Sequence, residues 1–195
     1  RNEPNPVPGR HDLIFPMFEF ELKGDLNALQ ALEAELLEYL GYGKRDSFPE
    51  GNYEDVAARM QTLDIEHKHE QQLYKEGNPV FFLKNFPEYT SPFWNMKRND
   101  DKRTAKKIDV IMSGMETIGS AERSSDVDDM RNRFNTISNG MYARTLYNHF
   151  GKERVDGEMC VFLKNNFITR SGGGIGMTRL ARAYELMKQE QTELA

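Results

Sequence analysis

The chain runs Ser171-Gly172-Gly173-Gly174-Ile175-Gly176-Met177-Thr178-Arg179-Leu180 and then takes on a helical pattern. Glycine removes the Cβ, so this segment offers the fold bare backbone where other sequences offer side chains. Two structures suit it. One is a flexible linker. The other is a backbone surface kept open so that a flat ligand can lie against it. Arg179, at the head of the following helix, would then reach the ligand's charge.

The rest of the chain decides what such a segment can belong to. Residues 4–9, PNPVPG, hold three prolines and a glycine and read as a loop. From Phe15 to Leu22 the residues alternate. Phe18, Phe20 and Leu22 fall on one face, and Phe15, Met17, Glu19 and Glu21 on the other. Asp25 reads as the cap of a helix carrying Leu26, Leu29, Leu32, Leu36 and Leu40 and stopped by Gly41. Asn52 begins a shorter helix. Asp64 begins another that runs to about Lys75 and closes at Gly77. Pro79 to Leu83 reads as a buried strand, residues 95–106 as an exposed hairpin tip, Lys107–Met112 as a strand and Glu116–Ala121 as its partner. Asp126 to Phe134, and on toward His149, reads as helical. Val161–Leu163 reads as a short strand before the glycines. Strands grouped by hairpin-like links, with helices between the groups, define an α+β fold with a mostly antiparallel sheet flanked by helices.

Composition narrows the function classes. The 195 residues, 38% of them hydrophobic, are enough for one globular domain with a sizeable core. A net charge of -5 argues against nucleic-acid binding by overall charge and leaves room for a local basic patch. One cysteine, Cys160, excludes a disulfide framework and a zinc knuckle. No apolar run approaches the roughly 20 residues of a membrane span, and no signal-peptide pattern opens the chain. A soluble, cytoplasmic protein without membrane contact is the expectation. The chain begins Arg-Asn-Glu with no methionine, so a piece of a longer protein is expected.

Four pieces could carry chemistry. Arg1-x-Glu3, a loop, Arg10-His11 and Phe15 would suit a nucleotide, with the ring stacked on the base and the cations on phosphates. Asp109 and Glu116, seven apart across a strand turn, could hold Mg²⁺ through carboxylates. Arg123 follows the small residues Gly119-Ser120-Ala121, which leave space beside the strand. The glycine segment ending in Arg179 is the fourth. Singly, each has an ordinary structural explanation as a surface ion pair, a turn or a loop.

In this order the pieces resemble the catalytic domain of class II aminoacyl-tRNA synthetases, in the aspartate/asparagine branch. Arg1-Asn2-Glu3 is similar to that family's second motif, f-R-x-E. "RHDLIFPMFEFE" is similar to its returning strand, roughly R-H-x-x-E-F-x-M-x-E-x-E. "NPVFFLKNFPEYTSPFWNMKRND" resembles the strand and turn that precede the metal carboxylates. "IDVIMSGMETIGSAER" resembles the D-L-x-x-x-G-x-E-I-x-G-G-S-x-R block, and "GGGIGMTRL" the third motif, G-x-G-x-G-x-E-R. The resemblance covers nearly the whole chain. It implies ATP-dependent adenylation of an amino acid and its transfer to tRNA by a homodimer.

On this resemblance Arg1 and Arg179 would serve catalysis, and Glu3, Arg10, His11, Phe15, Glu116, Gly174 and Gly176 would join them in binding ATP. Asp109 and Glu116 would hold Mg²⁺. Met17, Glu19 and Arg123 would receive the amino acid, Arg123 on the side-chain oxygen. A carboxylate at Glu19 could accept hydrogen bonds from the amide of asparagine and would repel aspartate unless another cation compensates. The Met17-Phe18-Glu19 pattern therefore favours asparagine. Thr178 stands where synthetases carry an acidic residue, and Ile14 replaces another. In this the chain is similar to ammonia-dependent asparagine synthetase, which adenylates aspartate without tRNA. A non-catalytic paralogue is the third alternative. Residues 1–195 read as one partial catalytic domain. The family's first motif and its anticodon-binding domain would both lie before Arg1.

Several residues are assigned structural roles. His67 and His69, two apart, do not share a helix face and do not form a metal site. Cys160 reads as core within an apolar strand, and Trp94 as a packing residue. Lys97, Arg98, Lys102, Arg103, Lys106 and Lys107 read as a solvated hairpin that could also touch an RNA backbone.

Overall fold

The computed structural model describes residues 14–193. Arg1, Glu3, Arg10 and His11 lie outside the described residues. Six strands form one sheet: β1 (Met17–Lys23), β2 (Glu50–Asn52), β3 (Val80–Pro87), β4 (Thr104–Met112), β5 (Met115–Glu122) and β6 (Arg170–Gly176). Their order is β1-β6-β5-β4-β3-β2, and every neighbouring pair is antiparallel except β2 and β3. Seven helices are described: α1 (Leu26–Tyr39), α2 (Tyr53–Arg59), α3 (His67–Lys75), α4 (Val127–Thr136), α5 (Met141–Phe150), α6 (Lys152–Leu163) and α7 (Met177–Glu193). The α+β architecture agrees with the sequence pattern. The glycine segment is a strand paired on both sides, which rules out the linker.

Alternation along the strands divides the sheet into two faces with different fates. One face carries Val80, Phe82, Ile108, Val110, Ile118 and Ile175, all buried, and packs on α1 through Ala34 and Leu37 and on α7 through Ala183 and Met187. Each such side chain contributes about 1.5–3 kcal/mol on burial. The other face carries Phe81, Leu83 and Ile111 and is covered by α2 and α3 through Tyr53, Val56, Ala57 and Leu73. That cover lies over the β3–β4 side, and this face of β1, β6 and β5 opens onto two cavities. Phe20 leans on the α1–α7 core as the alternation requires. Phe18 stays 57% exposed because β1 is an edge strand.

A third cluster lies outside the sheet. Met130, Phe134, Ala143, Val155 and Leu163 of α4, α5 and α6 close around Trp94.

Local chemistry fixes the ends of α1. The Asp25 side chain accepts from the Ala28 N–H at 3.0 Å, and Gly41 continues past the helix at φ +87°. The Leu26 N–H donates to Glu122 Oε2 at 3.1 Å, so the helix is pinned to the end of β5.

Four sequence expectations need correction. Val161–Leu163 is the last turn of α6, not a strand, and Cys160 is exposed on that helix. A short apolar run suits a strand or a helix face equally. Here the face toward Trp94 takes Phe162 and Leu163 and leaves Val161 69% exposed. The helix expected from Asp64 starts at His67. Glu66 caps it, and the Glu66 N–H donates back to His69 Nδ1 at 2.9 Å. The helix expected to run on toward His149 is broken between α4 and α5. Ser138, Asn139 and Gly140 take left-handed φ of 51°, 55° and 77°. The basic run is only partly a solvated hairpin. Arg98 is buried, donating to Glu88 at 2.5 Å and to the carbonyls of Pro92, Phe93 and Met96. Lys97 and Lys106 both hold the buried Glu122, at 2.6 and 3.3 Å.

Candidate active site

The strand registers place residues from four strands in rows across the open face. Glu19 pairs with Gly174, Gly174 with Gly119, and Gly119 with Asp109. The next row reads Glu21, Gly172, Ala121, Lys107. Strands stand about 4.8 Å apart, so the ends of a row are roughly 14 Å from each other. The result is a trough. Its floor is glycine and alanine, with Glu19 and Glu21 along one side and Asp109 and Lys107 along the other.

The glycines do different work. A Cβ on Gly172 would come 2.3 Å from the Phe20 carbonyl, and one on Gly173 would come 2.6 Å from the Gly119 carbonyl. Those two are needed by the neighbouring backbones. A Cβ on Gly174 would meet only the movable Met17 methyl, at 2.8 Å, among closely placed atoms, and one on Gly176 would find nothing nearer than 3.7 Å. Gly174 and Gly176 are the bare floor.

Glu116 reaches this face through an irregularity. In a regular strand, residues 116 and 119 point to opposite faces. Here the pairing passes from Ile111–Glu116 to Val110–Ile118, so Thr117 is the extra residue of a β-bulge. The bulge brings Glu116 to the side of Asp109. A Cβ on Gly119 would lie 3.3 Å from Glu116 Oε1 and 3.5 Å from Asp109 Oδ1, so both carboxylates converge above that glycine.

Their surroundings differ. Asp109 is buried, and its Oδ2 accepts from Lys107 Nζ at 2.5 Å. Its Oδ1 has no hydrogen-bond partner among the described residues. Burial pushes the Asp109 carboxyl up. The Lys107 ammonium opposes that shift, and the charges of Glu116 and Glu70 add to it. Glu116 is anchored by its backbone: its N–H donates to Glu70 Oε2 at 3.1 Å, and its carbonyl accepts from Arg179 Nη1 at 2.7 Å. Arg179 sits in the first turn of α7, where the helix dipole also favours anions. Arg123 does not stand free in the trough. Its Nε donates to Glu21 Oε1 at 2.9 Å.

Two cavities share this surface. One, of about 240 Å³, is lined by Phe15, Met17, Glu116, Thr117, Gly119, Gly174, Gly176 and Arg179. The other, of about 700 Å³, is lined by Met17, Glu19, Glu21, Phe93, Asn95, Lys107, Arg123 and Gly174, among others. They meet at Met17 and Gly174. The described residues expected to bind nucleotide therefore gather in the first, and those expected to bind the amino acid in the second. Asp109 Oδ1 points to the space above Gly119, on the wall of the first. A separate polar cavity of about 300 Å³ near Ser138 is lined by Arg98 and Arg133, but both are already paired with Glu88.

Sequence reading passed over four residues here. Lys107 was absorbed into the basic run, although its position two before Asp109 puts both on one strand face. Glu21 was placed on the right face without a partner. Asn95 and Glu70 carried no local signal, because tertiary packing brings them in from other segments.

The fold and the trough define an α+β protein with an open, glycine-floored sheet face, and comparison with known proteins gives the family. The sequence model of class II tRNA synthetases (D, K and N) matches residues 12–191, and the chain belongs to that family. The asparagine–tRNA ligase of Mycoplasma genitalium is 30% identical over 80 residues, which cover 39% of this chain and 17% of that protein. The asparaginyl-tRNA synthetase of Pyrococcus horikoshii, solved with asparaginyl-adenylate, superposes with a TM-score of 0.67 at 20% identity over 90% of this chain and 45% of its own. The aspartyl-tRNA synthetase of Entamoeba histolytica gives 0.68 at 16% identity over 93% and 42%. The chain thus spans less than half the length of these solved relatives.

Proposed function

We propose that this chain is the ATP-dependent activating core of an enzyme that forms asparaginyl-adenylate and passes the asparagine to tRNA. The observation that carries this reading is the pair of cavities joined at Met17 and Gly174 over one glycine floor, with Glu116 and Arg179 lining the smaller and Asp109 converging with Glu116 above its Gly119.

Gly174 and Gly176 let an adenine ring lie against the backbone, with Phe15 on the same cavity wall. Arg179 offers its guanidinium to phosphate oxygens. Asp109 Oδ1, buried and without a hydrogen-bond partner among the described residues, and Glu116 Oε1 are hard oxygen donors aimed at one place and fit a Mg²⁺ ion. Among the described residues no third His, Cys, Asp or Glu joins them in a metal-holding group. That suits an ion which keeps water and phosphate oxygens in its shell. When bound, Mg²⁺ supplies charge neutralisation to the phosphates. The chain's own residues position the reactants. The amino-acid carboxylate attacks the α-phosphorus, the bond to the β-phosphate oxygen breaks, and pyrophosphate leaves with its electron pair. No protein nucleophile is needed.

In the larger cavity Glu19 is the acceptor suited to an amide NH₂, and it supports asparagine as the substrate. A second reading, adenylation of aspartate with ammonia or tRNA as acceptor, is favoured by Lys107, a second cation in the same cavity. The roles of Arg1, Glu3, Arg10 and His11, the homodimer and the extent of a single catalytic domain over residues 1–195 are part of the proposal. Among the described residues no helix is long and apolar enough to cross a membrane.

Pyrophosphate–ATP exchange tests the reading, with each of the twenty amino acids separately and magnesium present. Exchange with asparagine, followed by tRNA charging, is the expected result. Exchange with aspartate alone moves the assignment to the second reading, and exchange with none overturns both.

A further inference from the structure

The larger cavity holds an imbalance that the family assignment leaves unexplained. Glu19 and Glu21 stand on one side of the trough. Arg123 is committed to Glu21 at 2.9 Å, so within the cavity that pair is already neutral. Glu19 alone would then make the cavity hostile to any ligand ending in a carboxylate. Opposite, at the far end of the row through Gly172 and Ala121, stands Lys107.

Three features equip Lys107 for a ligand. Its ammonium lies 3.6 Å from the centre of the Phe86 ring, which fixes the direction of a flexible stem. One of its three N–H donors goes to Asp109 Oδ2. Its side chain remains 20% exposed and lines the cavity. Asp109, its partner, turns the other oxygen toward Glu116 and the smaller cavity. Lys107 is paired as Arg123 is, but on the adenylation reading Asp109 and Glu116 would share a Mg²⁺ ion that takes up the Asp109 charge, and the Lys107 ammonium is then left to offset Glu19 in the larger cavity.

Resting on the adenylation reading, we propose that Lys107 is the specificity-determining cation of the amino-acid cavity, admitting the side-chain carboxylate of aspartate beside the amide of asparagine. Amide and carboxylate have nearly the same shape, so the choice between them rests on charge and donor count. Glu19 accepts from an amide. Lys107 donates to either oxygen, and more strongly to the charged one.

The test is calorimetric binding of aspartate and of asparagine, each with magnesium and a non-hydrolysable ATP analogue. The proteins are the full chain and its Lys107→Met and Lys107→Arg variants. Expected are binding of both amino acids by the wild type, a loss of about tenfold or more for aspartate in Lys107→Met, and a change within about threefold for asparagine. Lys107→Arg restores aspartate. Equal loss for both amino acids would mean that Lys107 only supports Asp109, and it overturns the proposal. So does an unchanged aspartate affinity, or a wild type that binds asparagine alone. If the folded wild type binds neither amino acid, the adenylation reading itself fails. Should Lys107→Met not fold, Lys107→Gln carries the same comparison.

Discussion

Glu33 is a carboxylate where the fold has least use for one. It lies on α1, 1% exposed, beneath the sheet, and neither oxygen has a hydrogen-bond partner among the described residues. Burial pushes its pKa from 4.5 up to about 8, with the nearby Ser120 hydroxyl working against the shift and the Asp109 charge adding to it. The folded protein thus keeps a proton that the unfolded chain gives up above its ordinary value. Stability contributed by this group is complete below about pH 4.5 and is lost as pH rises toward 8. Thermal or urea unfolding across that window should show a loss of up to about 1.4 kcal/mol per pH unit from this group. Glu33→Gln, neutral at every pH, should flatten the profile and be the more stable protein at pH 8. An unchanged slope would show that Glu33 is hydrated. At the same scale the glycines are separable. Gly174→Ala displaces only a methyl and should fold with its melting temperature nearly kept, while losing ATP affinity. Gly172→Ala drives a Cβ into the Phe20 carbonyl and should fail to fold. Equal behaviour of the two in melting and nucleotide titration would refute the division of the floor. The motif resemblance singles out Gly174 and Gly176, but nothing in the sequence says why Gly172 and Gly173 are glycine, and Glu33 sits unmarked on a leucine-rich helix.

Elements were legible where one local rule governs them. Period-2 alternation gave β1 its two faces, and the Asp25 cap with Gly41 bracketed α1 nearly to the residue. Asp25→Ala removes the bond to the Ala28 N–H and should cost about 1 kcal/mol in urea unfolding, without altering any site residue. Elements whose form depends on packing were misread. Nothing in "CVFL" announces that Trp94, from another segment, will claim Phe162 and Leu163 and turn the run into helix. The bulge at Thr117 is the deeper case. Asp109 and Glu116 were named as a pair on spacing and resemblance, yet their meeting depends on one extra residue that no local signal marks. The candidate site was therefore readable as a set of residue types, while its geometry belongs to the register of the sheet.

The molecule as a whole divides its stability between two bodies of side chains. The sheet clusters share no buried residue with the cluster of α4, α5 and α6. The links between them include Trp94 and the ion pair of Glu88 with Arg133 at 2.9 Å. Trp94, the only tryptophan in the chain, is packed edge-on against Phe134 and Phe162. Its fluorescence reports the helical cluster, whereas binding in the trough acts on the sheet. Phe134→Ala leaves a cavity in the small cluster and should cost about 3–5 kcal/mol there. A ligand that binds only the folded trough stabilises whatever unfolds together with it. In the variant, the tryptophan signal should melt first, with little response to added ATP and magnesium. The far-UV signal should melt later and rise with ligand. Coincident transitions that shift together would mean that the helices and the sheet unfold as one cooperative unit, with the Glu88–Arg133 pair and Trp94 coupling them tightly enough to pass binding energy from the trough into the helices.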